Sequence, residues 1–421
     1  MHIERFHIHG FKSVADVEVD GLSDINVFYG ANDAGCSNVF QALALWGWLL
    51  TVDRPPAGQL SLLPPECLLS WEELEQHFGQ LLFQIGGDNV IRIWVEVTLD
   101  QTDWQSNVPE VKAAGRELLA ELGRYVSSSQ PLRVISHVEL RVHPRGVLCQ
   151  TQNQAYAGGV RFDLPPSSLI VLLSRFHLIR AGRRFQVETR AVEPELGRVS
   201  HHNLKQALLA AYLGNDARQK RQLTILKRLL AAPPLSMGEM DVVLDHHTDR
   251  IDVGFVRANG WLPLENMGSG CQQVLLVLGQ ILLNDCPIVA IEEPEMNLSA
   301  RFQQHLMSVL RHLTRDSSGI VSQLFLGTHS PYFEEEQACF GVALDRRGIT
   351  RLTRLSGDGR PHHFPEDQAS SAAGLRLNAF NQITLSETVI KDMNLRCGDT
   401  LVLTKNAAGY WELRNAPDRG N

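Results

Sequence analysis

The sequence predicts an α/β protein: a mixed sheet with an antiparallel β-meander at its N-terminus, a helical insertion, and a small β-rich subdomain at its C-terminus. Three observations predict it. Residues 25–29 form an apolar strand-like run that passes through a glycine-framed loop into a helix-like run over 38–50. Residues 287–291, Pro-Ile-Val-Ala-Ile, are continuously apolar, the pattern of a parallel strand buried on both faces. Residues 323–327, Gln-Leu-Phe-Leu-Gly, form a third such run, with a helix-like stretch over 300–313 between the last two.

From the N-terminus, residues 2–11 alternate apolar and polar side chains as an edge strand would, and 14–19 form a second strand after Lys12-Ser13. Residues 51–65, punctuated by proline and glycine, read as a surface loop. Residues 71–83 are expected to be helical and 108–125 an amphipathic helix. Strict alternation at Ile91, Ile93, Val95 and Val97 makes 90–99 a strand, and 132–142 and 146–150 read as antiparallel strands. Residues 241–244 and 250–256 are short strands, 274–283 an apolar helix, and 340–344 and 349–355 two further strands.

At 421 residues the chain can hold one large domain with insertions or two to three ordinary ones, and 44% hydrophobic residues support a substantial core. No run approaches the roughly 18 apolar residues of a membrane span. The opening Met-His-Ile-Glu-Arg leads directly into a strand pattern, so no signal peptide is expected. Seven cysteines without a C-x-x-C pair read as reduced thiols of a cytoplasmic protein. A net charge of −8 argues against nucleic-acid coating by the whole surface. Residues 175–228 nevertheless carry twelve Lys and Arg against four acids, and 203–231 has helical periodicity with charges on one face. Both a solvated helix face and a groove for nucleic acid or another polyanion fit that segment. It lacks the aromatic interleaving of single-strand binding.

Chemistry concentrates at three places. Gly30 and Gly35 have the G-x-x-x-x-G spacing of a phosphate-binding loop, with Ser37 at the helix start. The glycines let backbone N–H groups turn around phosphate oxygens, and the helix N-terminus adds partial positive charge. Where that motif wants lysine the chain has Cys36. Downstream, the run 287–291 ends in Glu292-Glu293-Pro294-Glu295. Carboxylates at a strand end suit Mg²⁺ and water activation: one holds the ion that bridges β- and γ-phosphates, and the next orients or deprotonates the attacking water. The strand over 323–327 delivers Thr328-His329-Ser330-Pro331 at its C-terminal end.

Taken in order, Phe11-Lys12-Ser13, the loop from Gly30 to Asn38, Met267-Gly-Ser-Gly-Cys-Gln-Gln273, the run 288–295 and Thr328-His329-Ser330-Pro331 resemble ABC-type ATPases of the RecF, SMC and OLD-like branch. That branch includes AAA-family ATP-binding proteins of prokaryotic defence and toxin loci. The resemblance covers residues 1–355 with a variable middle. It implies a P-loop NTPase fold of ABC type and ATP with Mg²⁺ as cofactors. It implies nucleotide contacts from Gly30, Asn32, Gly35, Cys36, Ser37 and Asn38, with Ser37 and Glu292 as metal ligands. Glu293 would be the base and His329 the γ-phosphate sensor. Ser269 and Gly270 would reach the nucleotide of a partner subunit, so the expected state is a homodimer with composite nucleotide sites. The glutamine that links nucleotide to the second lobe in that family has no clear counterpart; Gln84 is one position for it.

Cys36 departs from the pattern. The lost charge-assisted contact is worth about 1.5–3 kcal/mol, on the order of tenfold to a hundredfold in nucleotide affinity. Three readings stay open: a slow ATPase with Lys12 or an arginine of the basic segment substituting, an ATP-binding dimerising switch or scaffold with little turnover, or a redox-sensitive thiol whose pKa the helix N-terminus lowers. Residues 356–371 read as a linker. The tail, 372–421, resembles a swapped-hairpin AbrB-type module through Ile383-Thr-Leu385, Leu395 and Cys397-Gly-Asp399, with a hairpin expected around residues 406–409. Such modules dimerise and commonly bind DNA, so a DNA-binding regulator acting through this tail is an alternative reading; the tail lacks the Asp-x-Asp with an upstream glutamate of a TOPRIM nuclease, so any effector would be a separate protein. The expected targets are therefore DNA or an effector protein, with phage defence as the setting and no membrane.

Overall fold

The computed structural model describes residues 1–31, 33–52, 66–78, 90–100, 131–143, 146–157, 160–162, 175–185, 198–245, 247–257, 260–284, 286–315, 320–333, 338–355, 401–405 and 411–415, with the single positions 103, 112, 113, 116, 173 and 188. The chain divides into two compact units, Met1–Leu355 and Ser356–Asn421.

Among the described residues the first unit holds three sheets, two large and one of three strands. One of the large sheets is antiparallel and contains β1 (His2–Phe11), β2 (Val14–Val19), β4 (Glu66–Leu69), β5 (Val90–Leu99), β6 (Leu132–His143), β7 (Gly146–Ala157) and β8 (Val160–Phe162). Its order is β2-β1-β5-β6-β7-β4, with β8 also on β7. The alternation in residues 2–11 suggested an edge strand, but β1 lies between β2 and β5, with Ile8 opposite both Val17 and Ile93. Alternation reports that one face is wet and the other packed; it carries no information on how many neighbours a strand has.

The second large sheet carries the Gly30–Gly35 loop, the acids after residue 291 and the turn at Thr328-His329. It contains β3 (Ile25–Gly30), β9 (Phe176–Ile179), β13 (Ile288–Glu292), β14 (Gln323–Thr328), β15 (Ala338–Leu344) and β16 (Thr350–Arg354), in the order β16-β15-β3-β14-β13-β9. The strands from β15 to β9 are parallel, and β16 is antiparallel to β15. β3 thus leaves the β1–β2 hairpin and enters the parallel sheet. Every residue of β3, β13 and β14 is buried, in keeping with their largely apolar sequences. Because these strands are parallel, the loops after β3, β13 and β14 emerge at one end of the sheet, where ligand sites of such sheets lie.

Helix α1 (Cys36–Val52) is apolar nearly all round and is buried between the two sheets. Its Trp46 Nε1 donates to Ser136 Oγ of β6 at 2.9 Å. Phe40 of α1 meets Phe28 of β3 edge-on at 5.3 Å, and Phe28 stacks on Phe340 of β15 at 5.0 Å. Aromatic pairs of this kind add about 0.5–1.5 kcal/mol each beyond area burial, and they fix the loop from below. Gln323 stitches the two sheets together: its Oε1 accepts from Ile3 N at 2.8 Å and its Nε2 donates to Ile3 O at 2.9 Å.

Helix α2 (Trp71–Phe78) comes after β4. The expected amphipathic helix over 108–125 lies outside the described residues, apart from isolated positions. The basic segment forms two helices, α3 (Leu204–Leu213) and α4 (Ala217–Ala231). Gly214 ends the first, and Asp216 caps the second by accepting from Arg218 N at 2.8 Å. The basic side chains of the segment do not share one environment. Lys205 is buried and paired with Glu265 at 2.6 Å, and Arg183 is buried, while Lys220, Arg221 and Arg228 are exposed on α4.

A three-stranded antiparallel sheet, β10 (Glu239–Asp245), β11 (Arg250–Arg257) and β12 (Gly260–Pro263), leads through a 3₁₀ turn at Leu264–Asn266 into α5 (Ser269–Asn284). Helix α6 (Ala300–Arg315) joins β13 to β14 and buries Leu306, Met307, Leu310 and Leu313. Among the described residues, no helix is long and apolar enough to cross a membrane.

In the second unit the structure describes one hairpin, β17 (Leu401–Lys405) with β18 (Trp411–Asn415), Leu401 opposite Asn415 and Lys405 opposite Trp411. The linker and the residues that carry the AbrB-type resemblance lie outside the described residues.

Candidate functional site

A pocket of about 410 Å³ opens where the loops after β3, β13 and β14 meet. Gly30, Gly35, Cys36, Ser37 and Asn38 line one side, and Glu292, Glu293, Thr328 and His329 the other. Eight of the eleven residues expected at the site are thus brought together across some 300 positions of sequence. Ser269 and Gly270 do not line this pocket. Ser269 is exposed at the start of α5, and Gly270 packs against the segment after β13, where an added Cβ would stand 3.2 Å from Asn297 O. Asn32 lies outside the described residues, as does Gln84.

The loop depends on its glycine at position 35. Gly35 has φ +101, and a Cβ there would stand 2.0 Å from Thr350 Oγ1 of β16. Thr350 in turn bonds Ser13 Oγ at 2.6 Å, and Asn38 Nδ2 donates to the same Ser13 Oγ at 2.7 Å. The Phe11-Lys12-Ser13 turn therefore braces the loop from outside. The Asn38 and Val39 amides donate to Gly35 O at 3.0 and 3.2 Å, and the first-turn residues Cys36, Ser37 and Asn38 line the pocket, so a helix N-terminus suited to anionic oxygens borders it.

Glu292 ends β13 with 5% of its surface exposed. Burial raises its pKa; the Ala181 amide, the Ser37 hydroxyl, Arg180 and Gln41 oppose that rise. Ala181 N donates to Oε2 at 3.0 Å, while Oε1 is buried without a hydrogen-bond partner. A buried, unsatisfied carboxylate oxygen beside a serine hydroxyl suits Mg²⁺, which takes a few hard oxygen ligands from protein and the rest from water and phosphate. Among the described residues, no group of three or more His, Cys, Asp or Glu is placed to hold a metal by itself. The residues present thus fit an ion that arrives with phosphate.

Glu293 has φ 43, a left-handed conformation, with its amide bonded to Gly327 O at 2.8 Å. Strain of this kind costs about 1–3 kcal/mol and is kept where the surroundings enforce it. Glu295, two residues on, has no role assigned by the sequence. It is buried, its Oε1 accepts from His329 N at 2.8 Å, and it lies 2.9 Å from His329 Nδ1. Ser330 Oγ donates to Gln303 Oε1 of α6 at 2.5 Å, tying down the other side of the His329 turn. The one sequence signal for Glu295 is its place as the third acid of its run.

The hydrogen bond to Glu295 raises the pKa of His329, opposed in part by burial. A histidine raised on folding contributes stability fully present below its unfolded pKa and lost as pH rises through the higher folded one. We therefore expect Glu295→Gln to lower the His329 pKa in an imidazole NMR titration, and to narrow, at its alkaline end, the pH range over which His329 stays charged. An unchanged titration would show that Glu295 does not hold this histidine.

Cys36 behaves differently from the redox reading. The residue is only partly covered, but its thiol is enclosed beneath the loop, with Sγ 3.9 Å from Phe28 O. Burial, reinforced by Glu292, Glu295 and Glu293, pushes the thiol up to about 12, overriding the helix N-terminus. A thiol raised in this way favours its protonated form at neutral pH. Lys12 does not replace the missing lysine: its Nζ donates to Gln41 Oε1 at 2.5 Å and to Phe78 O at 2.7 Å, and it does not line the pocket. Arg180, at the end of β9, lies within electrostatic reach of Glu292.

The sheet order and the glycine loop between β3 and α1 define the fold class: an α/β protein with a P-loop-like strand–loop–helix at one end of a parallel sheet. Residues 164–333 match the family described as "AAA domain, putative AbiEii toxin, Type IV TA system". No curated protein matches the sequence. Similar solved structures include an SMC head bound to the C-winged helix domain of ScpA, at 13% identity and TM-score 0.46, covering 85% of this chain and 98% of that one. An SMC head with an extended coiled coil, bound to the C-terminal domain of ScpA derived from Pyrococcus furiosus, matches at 13% and 0.45, covering 84% and 96%. The SMC head domain from Thermotoga maritima matches at 11% and 0.41, covering 85% and 100%.

Proposed function

We propose that the protein binds ATP with Mg²⁺ in this pocket, hydrolyses it slowly, and uses it to close a homodimer that acts on DNA or on a separate effector protein. The observation that carries the reading is the convergence of the Gly30–Gly35 loop, the Glu292-Glu293 pair and His329 on one cavity. The loop amides and the α1 N-terminus bind the phosphates; Ser37 and Glu292 hold the ion, which neutralises phosphate charge when bound. Glu293 takes the proton of the attacking water. His329, oriented by Glu295 through Nδ1, meets developing charge on the outer phosphate with its other nitrogen. Ser269 and Gly270, away from this pocket and in part exposed, are the residues a second copy would use to complete its site. Phage defence is the setting proposed, since residues 164–333 match a family described as a putative AbiEii toxin of a Type IV TA system.

A second reading, a non-hydrolysing scaffold that retains the pocket, is favoured by one observation: Cys36 brings no cation among Glu292, Glu293 and Glu295. Light scattering of the 421-residue chain with and without ATP and Mg²⁺ separates the two. The switch predicts a doubling of mass with nucleotide, and a constant mass would favour the scaffold.

A further inference from the structure

One buried cation joins the strand end that bears Glu293 to the helix that begins at Ser269. Arg183 lies just after β9 and is 1% exposed. Its Nη1 donates to Arg180 O at 3.0 Å and to Glu292 O at 2.8 Å, and its Nη2 donates to Glu293 O at 3.0 Å. Its hydrogen bonds thus go to main-chain carbonyls; burial lowers its pKa to about 10, and the nearby carboxylates of Glu295, Glu292 and Glu293 oppose that fall. A guanidinium buried on carbonyl acceptors is costly, so the position gains little as mere packing.

Its own carbonyl faces the other way. Gln273 of α5, one turn from Ser269, is buried and donates from Nε2 to Arg183 O at 2.9 Å. Glu293 stands in the left-handed region, held by its amide on Gly327 O and by Arg183 on its carbonyl. The Glu293 carbonyl also accepts from Met296 N at 3.1 Å, closing the turn that leads to Glu295. Arg183 therefore touches at once the conformation that aims Glu293 and the helix whose N-terminus a second copy would engage.

We propose that Arg183 is a positioning residue that holds the Glu293 peptide in its left-handed conformation and ties it, through Gln273, to the Ser269 end of α5. This rests on the reading of Glu293 as the hydrolytic base. In that role Arg183 contacts neither nucleotide nor water; it fixes where the Glu293 carboxylate stands and lets movement of α5 reach it.

The test compares the wild-type chain with Arg183→Met, Arg183→Lys and Gln273→Leu for ATP turnover, for affinity by titration with a fluorescent ATP analogue, and for melting. The expected result for Arg183→Met is turnover about tenfold to a hundredfold lower, as misplacement of a reacting group produces, with affinity within about twofold. Arg183→Lys, which keeps the charge, should recover part of the rate. Unchanged turnover, or turnover and affinity falling together, would overturn the proposal. If Arg183→Met shows no cooperative melting, Gln273→Leu carries the test with the same expected split. If the wild-type chain binds ATP without turnover, the hydrolysis reading fails separately. Hydrogen exchange at Met296 and Leu298 then decides: ATP with Mg²⁺ should slow it in wild type and not in Arg183→Met, and equal slowing in both would overturn the role of Arg183.

Discussion

Glu293→Gln is expected to lower ATP turnover by about two to four orders of magnitude while leaving ATP binding intact. The substitution removes the proton acceptor and keeps the volume and the backbone preference, so φ 43 and the amide bond to Gly327 O should survive. The neighbouring Glu292 cannot take over. It is buried, its Oε2 is engaged by Ala181 N, and its other oxygen is the one suited to the ion. Radiolabelled ATP hydrolysis by the two purified proteins checks this. Equal turnover in both would end the assignment of Glu293 as base and leave the scaffold reading standing.

Cys36→Lys is expected to raise ATP affinity about tenfold to a hundredfold, the equivalent of about 1.5–3 kcal/mol for a restored charge-assisted contact, and to raise turnover by more, since charge grows in the transition state. The cause is electrostatic. Glu292, Glu293 and Glu295 all act on position 36, and together they would repel the outer phosphates of a nucleotide placed there. They are also what would keep a lysine there charged. Cys36→Met, of similar length without charge, is the control and should gain little. A titration in which both variants bind ATP as the wild type does would show that position 36 does not face the phosphates.

These two predictions concern the part of the molecule that is legible in the sequence. The strand–loop–helix over residues 25–50, the acids after 291 and the histidine after 327 are local patterns: each needs only a buried strand and the few residues that come after it. Parallel strands then put all three loops at one sheet end, so recognising the strands is enough to gather the pocket. The parts hidden from the sequence depend on distant partners. Glu295 becomes important through His329, 34 residues later, and Arg183 through carbonyls 109 and 110 residues away. Burial is decided by neighbours, and no pattern within residues 175–228 distinguishes the buried Arg183 and Lys205 from the exposed arginines of α4. The same limit explains β1, whose second neighbour, β5, begins at Val90.

Whether the pocket takes ATP with Mg²⁺ is decided by equilibrium titration of the 421-residue chain with ATP, with and without Mg²⁺, beside a variant that combines Ser37→Ala with Glu292→Ala. The expected result is saturable binding that Mg²⁺ tightens, with the tightening lost in the double variant because the hydroxyl and the unpartnered carboxylate oxygen are gone. No saturation at millimolar ATP, or a Mg²⁺ effect that survives in the double variant, would contradict the assignment of this site.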